Sequence, residues 1–150
     1  MNDPATFSSS SHRHGLPFLF AGQAQKEFTV NEAMGRIDAL LHPVVSGIAA
    51  SEPASPAVGD CLLVAQPASG EFSGQGNRIA SWDGQQWTFL EPVEGMTVFD
   101  LSSGARLVYR SGWQEAPSVS DPIGGSTIDA EARGAIVALT NALRSHGIIS

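Results

Sequence analysis

Arg78-Ile79-Ala80-Ser81-Trp82-Asp83-Gly84-Gln85-Gln86-Trp87-Thr88-Phe89-Leu90-Glu91 is the stretch that decides the fold class. Two short runs carrying β-branched and aromatic residues flank a connection with Asp-Gly, the combination that specifies a β-hairpin. Its register stays open at this level. A four-residue loop, Asp83 to Gln86, sets Trp82 opposite Trp87, whereas a two-residue loop at Asp83-Gly84 pairs Trp82 with Gln85. The same texture extends to both sides, with strands expected at 61–66, 78–82, 87–91, 96–101, 106–110 and 113–115. Turns fall at Asp83-Gly84, Ser103-Gly104 and Ser111-Gly112, where glycine supplies a positive φ, and 67–77 reads as a glycine-containing loop.

Helical signals flank this β region. Asn31 reads as an N-cap with Glu32 in the first turn, Met34, Ile37 and Leu41 fall at helical spacing with Leu40 beside them, and Pro43 after His42 stops the helix. That gives a short amphipathic helix of about three turns, marginal without tertiary contacts. Near the other end, Ser126 and Asp129 resemble a capping box, and Gly147 reads as the residue just past a helix end, with Leu143 and Ile148 placed for the apolar contact of such an ending. Ile128, Ala132, Ile136, Leu139 and Leu143 draw one narrow apolar seam along the helix, and a seam of that kind requires a partner. The organisation expected is a flexible arm at 1–15, a helical anchor at 16–48, an antiparallel β domain at 49–116, a linker at 117–126 and a C-terminal helix at 127–150. The fold class is α+β.

Composition removes several function classes. The chain has 150 residues, room for one modest core with appendages, and a formal charge of −7. Eight Lys and Arg spread singly leave no basic stripe for a phosphate backbone, so nucleic acid is not an expected partner. No signal peptide is read at the N-terminus and no run approaches membrane-spanning length. The single cysteine, Cys61, lies in an apolar run and forms no thiolate cluster.

A catalytic constellation does not assemble, and neither an enzyme nor a cofactor or metal is expected. His12 and His14 lie in the arm, whereas the helix dipole accounts for His42 and His146 at helix ends without a metal. Asp60, Asp83, Glu91 and Glu94 sit where turn chemistry and solvated surface explain them. Trp82, Trp87 and Trp113 carry two readings: an indole stacks on a sugar ring face, or it fills the core of a small sheet with few other bulky groups. Trp113, followed by Gln114-Glu115 on the weakest strand, is the better candidate for exposure.

Pro17-Phe18-Leu19, Gln23-Ala24-Gln25-Lys26-Glu27, Asn31-Glu32-Ala33, Ile37-Asp38-Ala39-Leu40, Pro53, Pro56, Gly59-Asp60, Gly70, Gly74, Ile79-Ala80-Ser81-Trp82, Trp87-Thr88-Phe89, Pro92 and Gly95-Met96 together resemble an uncharacterised domain family. Its members occur in tail-fibre and head-spike proteins of phages, prophages and gene transfer agents of alphaproteobacteria. The resemblance covers about 16–113, and the C-terminal helix looks like the ending that short members carry. It implies a structural component of a phage-like particle, a spike or fibre base that helps attach the particle to the host cell. It further implies a homo-oligomer, trimer or pentamer, in contact with capsid or tail proteins and a further fibre protein. Such a chain is made in the bacterial cytoplasm, sits on the particle surface and is released by lysis. Gln23, Gln25, Lys26, Glu27 and Asn31 then read either as local capping at the helix entry or as an assembly contact. The rival class is a carbohydrate-binding module that takes host capsular polysaccharide on Trp82, Trp87 and Trp113.

Overall fold

The computed structural model describes residue 18 and residues 26–124 and 129–149. Among the described residues two α-helices and eight short strands make an α+β protein: α1 (Lys26–Leu41), β1 (Val44–Val45), β2 (Ile48–Ala49), β3 (Cys61–Val64), β4 (Ile79–Trp82), β5 (Trp87–Leu90), β6 (Thr97–Asp100), β7 (Ala105–Tyr109), β8 (Trp113–Glu115) and α2 (Ala130–Ser145). The chain groups into two units that divide between Pro92 and Val93, so the strands expected as one β domain are shared between them.

In the first unit β2, β3, β4 and β5 form one sheet in that order. β3–β4 and β4–β5 are antiparallel, but Ile48 and Ala49 of β2 run parallel to Leu63 and Val64, so the sheet is mixed rather than built only of hairpins. The hairpin takes the four-residue loop: Trp82 faces Trp87, and the Asp83 Oδ1 accepts the N–H groups of Gln85 at 2.7 Å and Gln86 at 2.8 Å. A carboxylate holding two successive amides fixes the loop length, and the loop length fixes the register.

The core of this unit is centred on a residue that hydrophobic periodicity does not reveal. Phe72 lies in a 3-10 turn, Gly70–Phe72, within the 67–77 loop, and is fully buried among Leu62, Val64, Ala80 and Trp87. Its ring meets Trp87 edge-on at 5.1 Å and Phe89 at 5.7 Å, the geometry that aromatic quadrupoles favour. Gly70 enters this turn at φ 60°, where the Glu52 carboxylate accepts the Glu71 N–H at 2.9 Å and a Cβ on Gly70 would come within 2.1 Å of the Glu52 Oε2.

The second unit holds the antiparallel meander β6–β7–β8 and α2. Val98 and Leu107 face each other in register and are buried. Burial alone would raise the Asp100 pKa. Hydrogen bonds from the hydroxyls and N–H groups of Ser102 and Ser103 outweigh that and hold the carboxyl below the usual carboxylate range. The resulting stabilisation is present at neutral pH and is lost as pH falls from the unfolded-state pKa through the depressed folded one.

Three local expectations are corrected. Asn31 is not an N-cap: α1 is already helical from Lys26, because the residues from Lys26 to Val30 include no Gly or Pro to stop it, and weak propensity at Thr29 and Val30 does not suffice. The N-cap of α2 is Asp129, whose carboxylate accepts the Ala132 N–H at 2.9 Å, while Ser126 lies outside the described residues. At the β7–β8 turn the positive φ, 56°, belongs to Ser111 and not to Gly112.

The C-terminal ending takes the form expected. Gly147 adopts φ 62°, its N–H bonds to the Arg144 carbonyl, and the Ile148 N–H reaches back to Leu143. The segment before α2 is not free, however. Arg133 donates to the carbonyls of Pro122 and Gly124, and Arg144 donates to that of Val119. The helix end is also anchored to the sheet, since the Arg106 N–H donates to the Gly147 carbonyl at 2.9 Å. A Cβ at Gly147 would lie 2.9 Å from both the Gly104 carbonyl oxygen and the Phe99 ring. Gly147→Ala therefore combines a left-handed backbone penalty of about 1–2 kcal/mol with two close contacts. The expected result is a lower melting temperature and faster hydrogen exchange at the Arg106 amide; an unchanged amide would mean that α2 is not docked by this end.

Candidate functional site

The seam of α2 is set by what its other side does. Arg133 and Arg144 point their guanidinium groups at carbonyls of 119–124, and Thr140 is buried with its hydroxyl donating to the Ile136 carbonyl at 2.8 Å. The two arginines tie one side of the helix to the segment that precedes it. Along the adjoining side Ala132 is exposed, Ile136 and Leu139 are 46% and 61% exposed, and Leu143 is half-buried. Glu131 in the first turn and Arg144 in the last suit the helix dipole. Ile128, the first residue of the expected seam, lies outside the described residues.

The N-terminal block is not brought together in the described residues. Gln23 and Gln25 lie outside them, Lys26 is exposed at the first position of α1, Glu27 follows it in the helix, and Asn31 is half-buried in the helix interior. The apolar positions of α1 also differ from expectation. Ile37, Leu40 and Leu41 are exposed, and the buried positions are Asp38 and Ala39.

The three tryptophans belong to two units. Trp87 is buried in the first unit's core, and Trp82, half-buried, packs against it with ring centroids 5.2 Å apart. Both indoles are held by core contacts, with the greater burial at Trp87. Trp113 is half-buried on β8, paired in register with Tyr109 and in edge contact with it at 5.3 Å. Tyr109 had no signal of its own in the sequence, because only the register of β7 against β8 places it beside Trp113. Polar groups surround this pair: the Glu94 carboxylate accepts the Ser111 N–H at 3.2 Å, and the Gln114 amide donates to the Arg110 carbonyl at 3.3 Å.

The carboxylates considered for chemistry are engaged locally. Asp60 accepts the Ala57 N–H at 2.8 Å, and Glu91 pairs with Arg78 at 2.7 Å. Among the described residues there is no group of three His, Cys, Asp or Glu side chains placed to hold a metal, and no helix is long and apolar enough to cross a membrane. His42 is exposed beyond α1 and His146 caps α2, while His12 and His14 lie outside the described residues.

No curated protein and no solved structure matches this chain. A family model described as a protein of unknown function, DUF2793, matches residues 30–114, from within α1 through the second strand of the β7–β8 hairpin. The match spans more than half of the chain and covers most of α1, the Trp82–Trp87 hairpin and the Tyr109–Trp113 pair, so the chain belongs to the DUF2793 family.

Proposed function

We propose that this chain is a structural component of a phage-like particle, a gene transfer agent or a phage, acting as a spike or fibre-base protein that helps attach the particle to the host cell surface. The observation that carries the reading is the α2 seam. Ile136 and Leu139 stand exposed at coiled-coil spacing on a helix whose adjoining side is tied down by arginine contacts, which suits a protomer that self-associates. The sequence motifs that resemble tail-fibre and head-spike proteins supply the context, and the partners are further copies together with capsid, tail or fibre proteins. Particles prepared from a strain lacking the gene should adsorb poorly to host cells and regain adsorption on complementation. Full adsorption without the chain would refute an attachment role.

A second reading rests on Trp113. Its half-exposed indole, with Tyr109 beside it and polar groups around it, suits contact with a pyranose ring of capsular polysaccharide. Trp113→Ala should then reduce polysaccharide binding while the second unit stays folded, at a stability loss of about 0.5–1.5 kcal/mol for the aromatic pair in addition to the area the indole buries. Unchanged binding would leave the chain a connector that positions another protein's receptor-binding domain.

A further inference from the structure

Beyond β8 the chain leaves the meander and returns to it at a neighbouring position of β7. Glu115, the last residue of β8, pairs in register with Leu107, and at the adjacent residue of β7 the Arg106 N–H donates to the Gly147 carbonyl at 2.9 Å. The way out is a covalent link, whereas the return is a hydrogen bond beside the close approach of Gly147 to Gly104 and Phe99. Between the two, Thr140 is the one buried residue of α2, so the body of the helix takes little support from burial. A helix of 16 residues in that position is marginal in water.

The chain that precedes α2 braces it instead. Arg133 and Arg144 lie about three turns apart on one line of the helix, roughly 16 Å, which is also about the reach of the extended chain from Val119 to Gly124. Arg144 takes the Val119 carbonyl near the C-terminal end of α2, and Arg133 takes those of Pro122 and Gly124 towards its N-terminal end. The segment 119–124 therefore runs antiparallel along the helix as a strap. Apolar burial does little to hold it, since Val119 is 43% and Ile123 92% exposed. Among the described residues the hydrogen bonds of 117–124 all go to these two arginines, so the strap is fastened to α2 and not to the sheet. We propose that α2 and its strap form a flap that swings off the meander as one piece, with the chain just after Glu115 as the hinge and Gly147 on Gly104 and Arg106 as the latch. When the latch opens, the arginine bonds and the Asp129 cap go with the helix and keep it folded. The β6–β7 ladder stays closed, and the Arg106 amide and the Phe99 ring are uncovered.

This device does not rest on the spike reading. Its consequence is that the seam of α2 can meet a neighbouring protein in an orientation that the sheet does not dictate. Amide hydrogen exchange of the purified full chain, read residue by residue by NMR, separates the three motions involved. The Arg106 amide reports the latch, Val137 and Asn141 in the middle of α2 report the helix, and Tyr109, whose N–H donates to the Met96 carbonyl at 2.8 Å, reports the meander. Arg106 should exchange at least about tenfold faster than the other three, the signature of a local opening that leaves helix and sheet intact. Arg133→Met combined with Arg144→Met should raise the Val137 and Asn141 rates to that of Arg106 and leave Tyr109 as it was. Arg106 exchanging no faster than Tyr109 would show that the latch opens only when the meander unfolds, and would overturn the proposal. So would Val137 and Asn141 exchanging as fast as Arg106 in the unaltered chain, because the helix would then melt with the latch. Unchanged helix rates in the double variant would equally sink it, by showing that the strap does not brace α2. Should that variant fail to fold, the comparison within the unaltered chain decides alone.

Discussion

Phe72→Ala is expected to destabilise the first unit by about 3–5 kcal/mol, the range for removing a large aromatic from a core that only partly collapses. The ring is fully buried, contacts Trp87 and Phe89 edge-on, and sits in a turn whose entry is fixed by the Glu52–Glu71 hydrogen bond. The lost volume lies where β3, β4 and β5 all contribute side chains, so no single segment can shift to fill it. Urea unfolding followed by tryptophan fluorescence checks this, because Trp82 and Trp87 line the same core. A loss below about 1 kcal/mol would show that the 67–77 loop is not a structural part of the unit.

Leu139→Asp should have the second large effect, on assembly rather than on folding. The side chain is 61% exposed in the single chain, so a carboxylate there stays hydrated and the fold of the second unit is retained. In a dry helix interface the same carboxylate costs several kcal/mol, enough to dissociate a micromolar oligomer. Sedimentation of the variant should show a smaller species with an unchanged far-ultraviolet spectrum. If the sheet signal were lost together with the oligomer, the seam would be packing within the second unit. Anchoring of Gly147 against Gly104 and Arg106 makes this comparison sharper than the sequence suggested, since α2 and the β6–β7 hairpin share a hydrogen bond and are not insulated by a linker.

What the sequence revealed follows the range of the forces concerned. Strands β3 to β8 were legible to within a residue or two, because alternation and glycine turns are local signals. The Gly147 ending was legible for the same reason. β1 and β2 were not, since two residues carry no period and β2 pairs in parallel with a strand distant in sequence. Phe72 was hidden because one aromatic among glycines and serines has no pattern, and its burial is decided by Leu62, Val64, Ala80 and Trp87 across the sheet. The α1 stripe was legible as a stripe, but its direction was not. Sequence assigns an apolar face to the core by default, whereas here Asp38 and Ala39 take the buried side and Ile37 and Leu41 are left outward. The Tyr109–Trp113 pair likewise depends on register, which the two-residue and four-residue alternatives at the first hairpin show to be undetermined until a turn side chain commits.

The proposed place of this chain in the body of a particle is tested directly by quantitative mass spectrometry of phage-like particles released by lysis and banded on a density gradient. The chain should co-migrate with the capsid and tail proteins at a fixed ratio to them, and Leu139→Asp should deplete it from the band. A chain present in the lysate but absent from intact particles, or present at a ratio that varies between preparations, would contradict it.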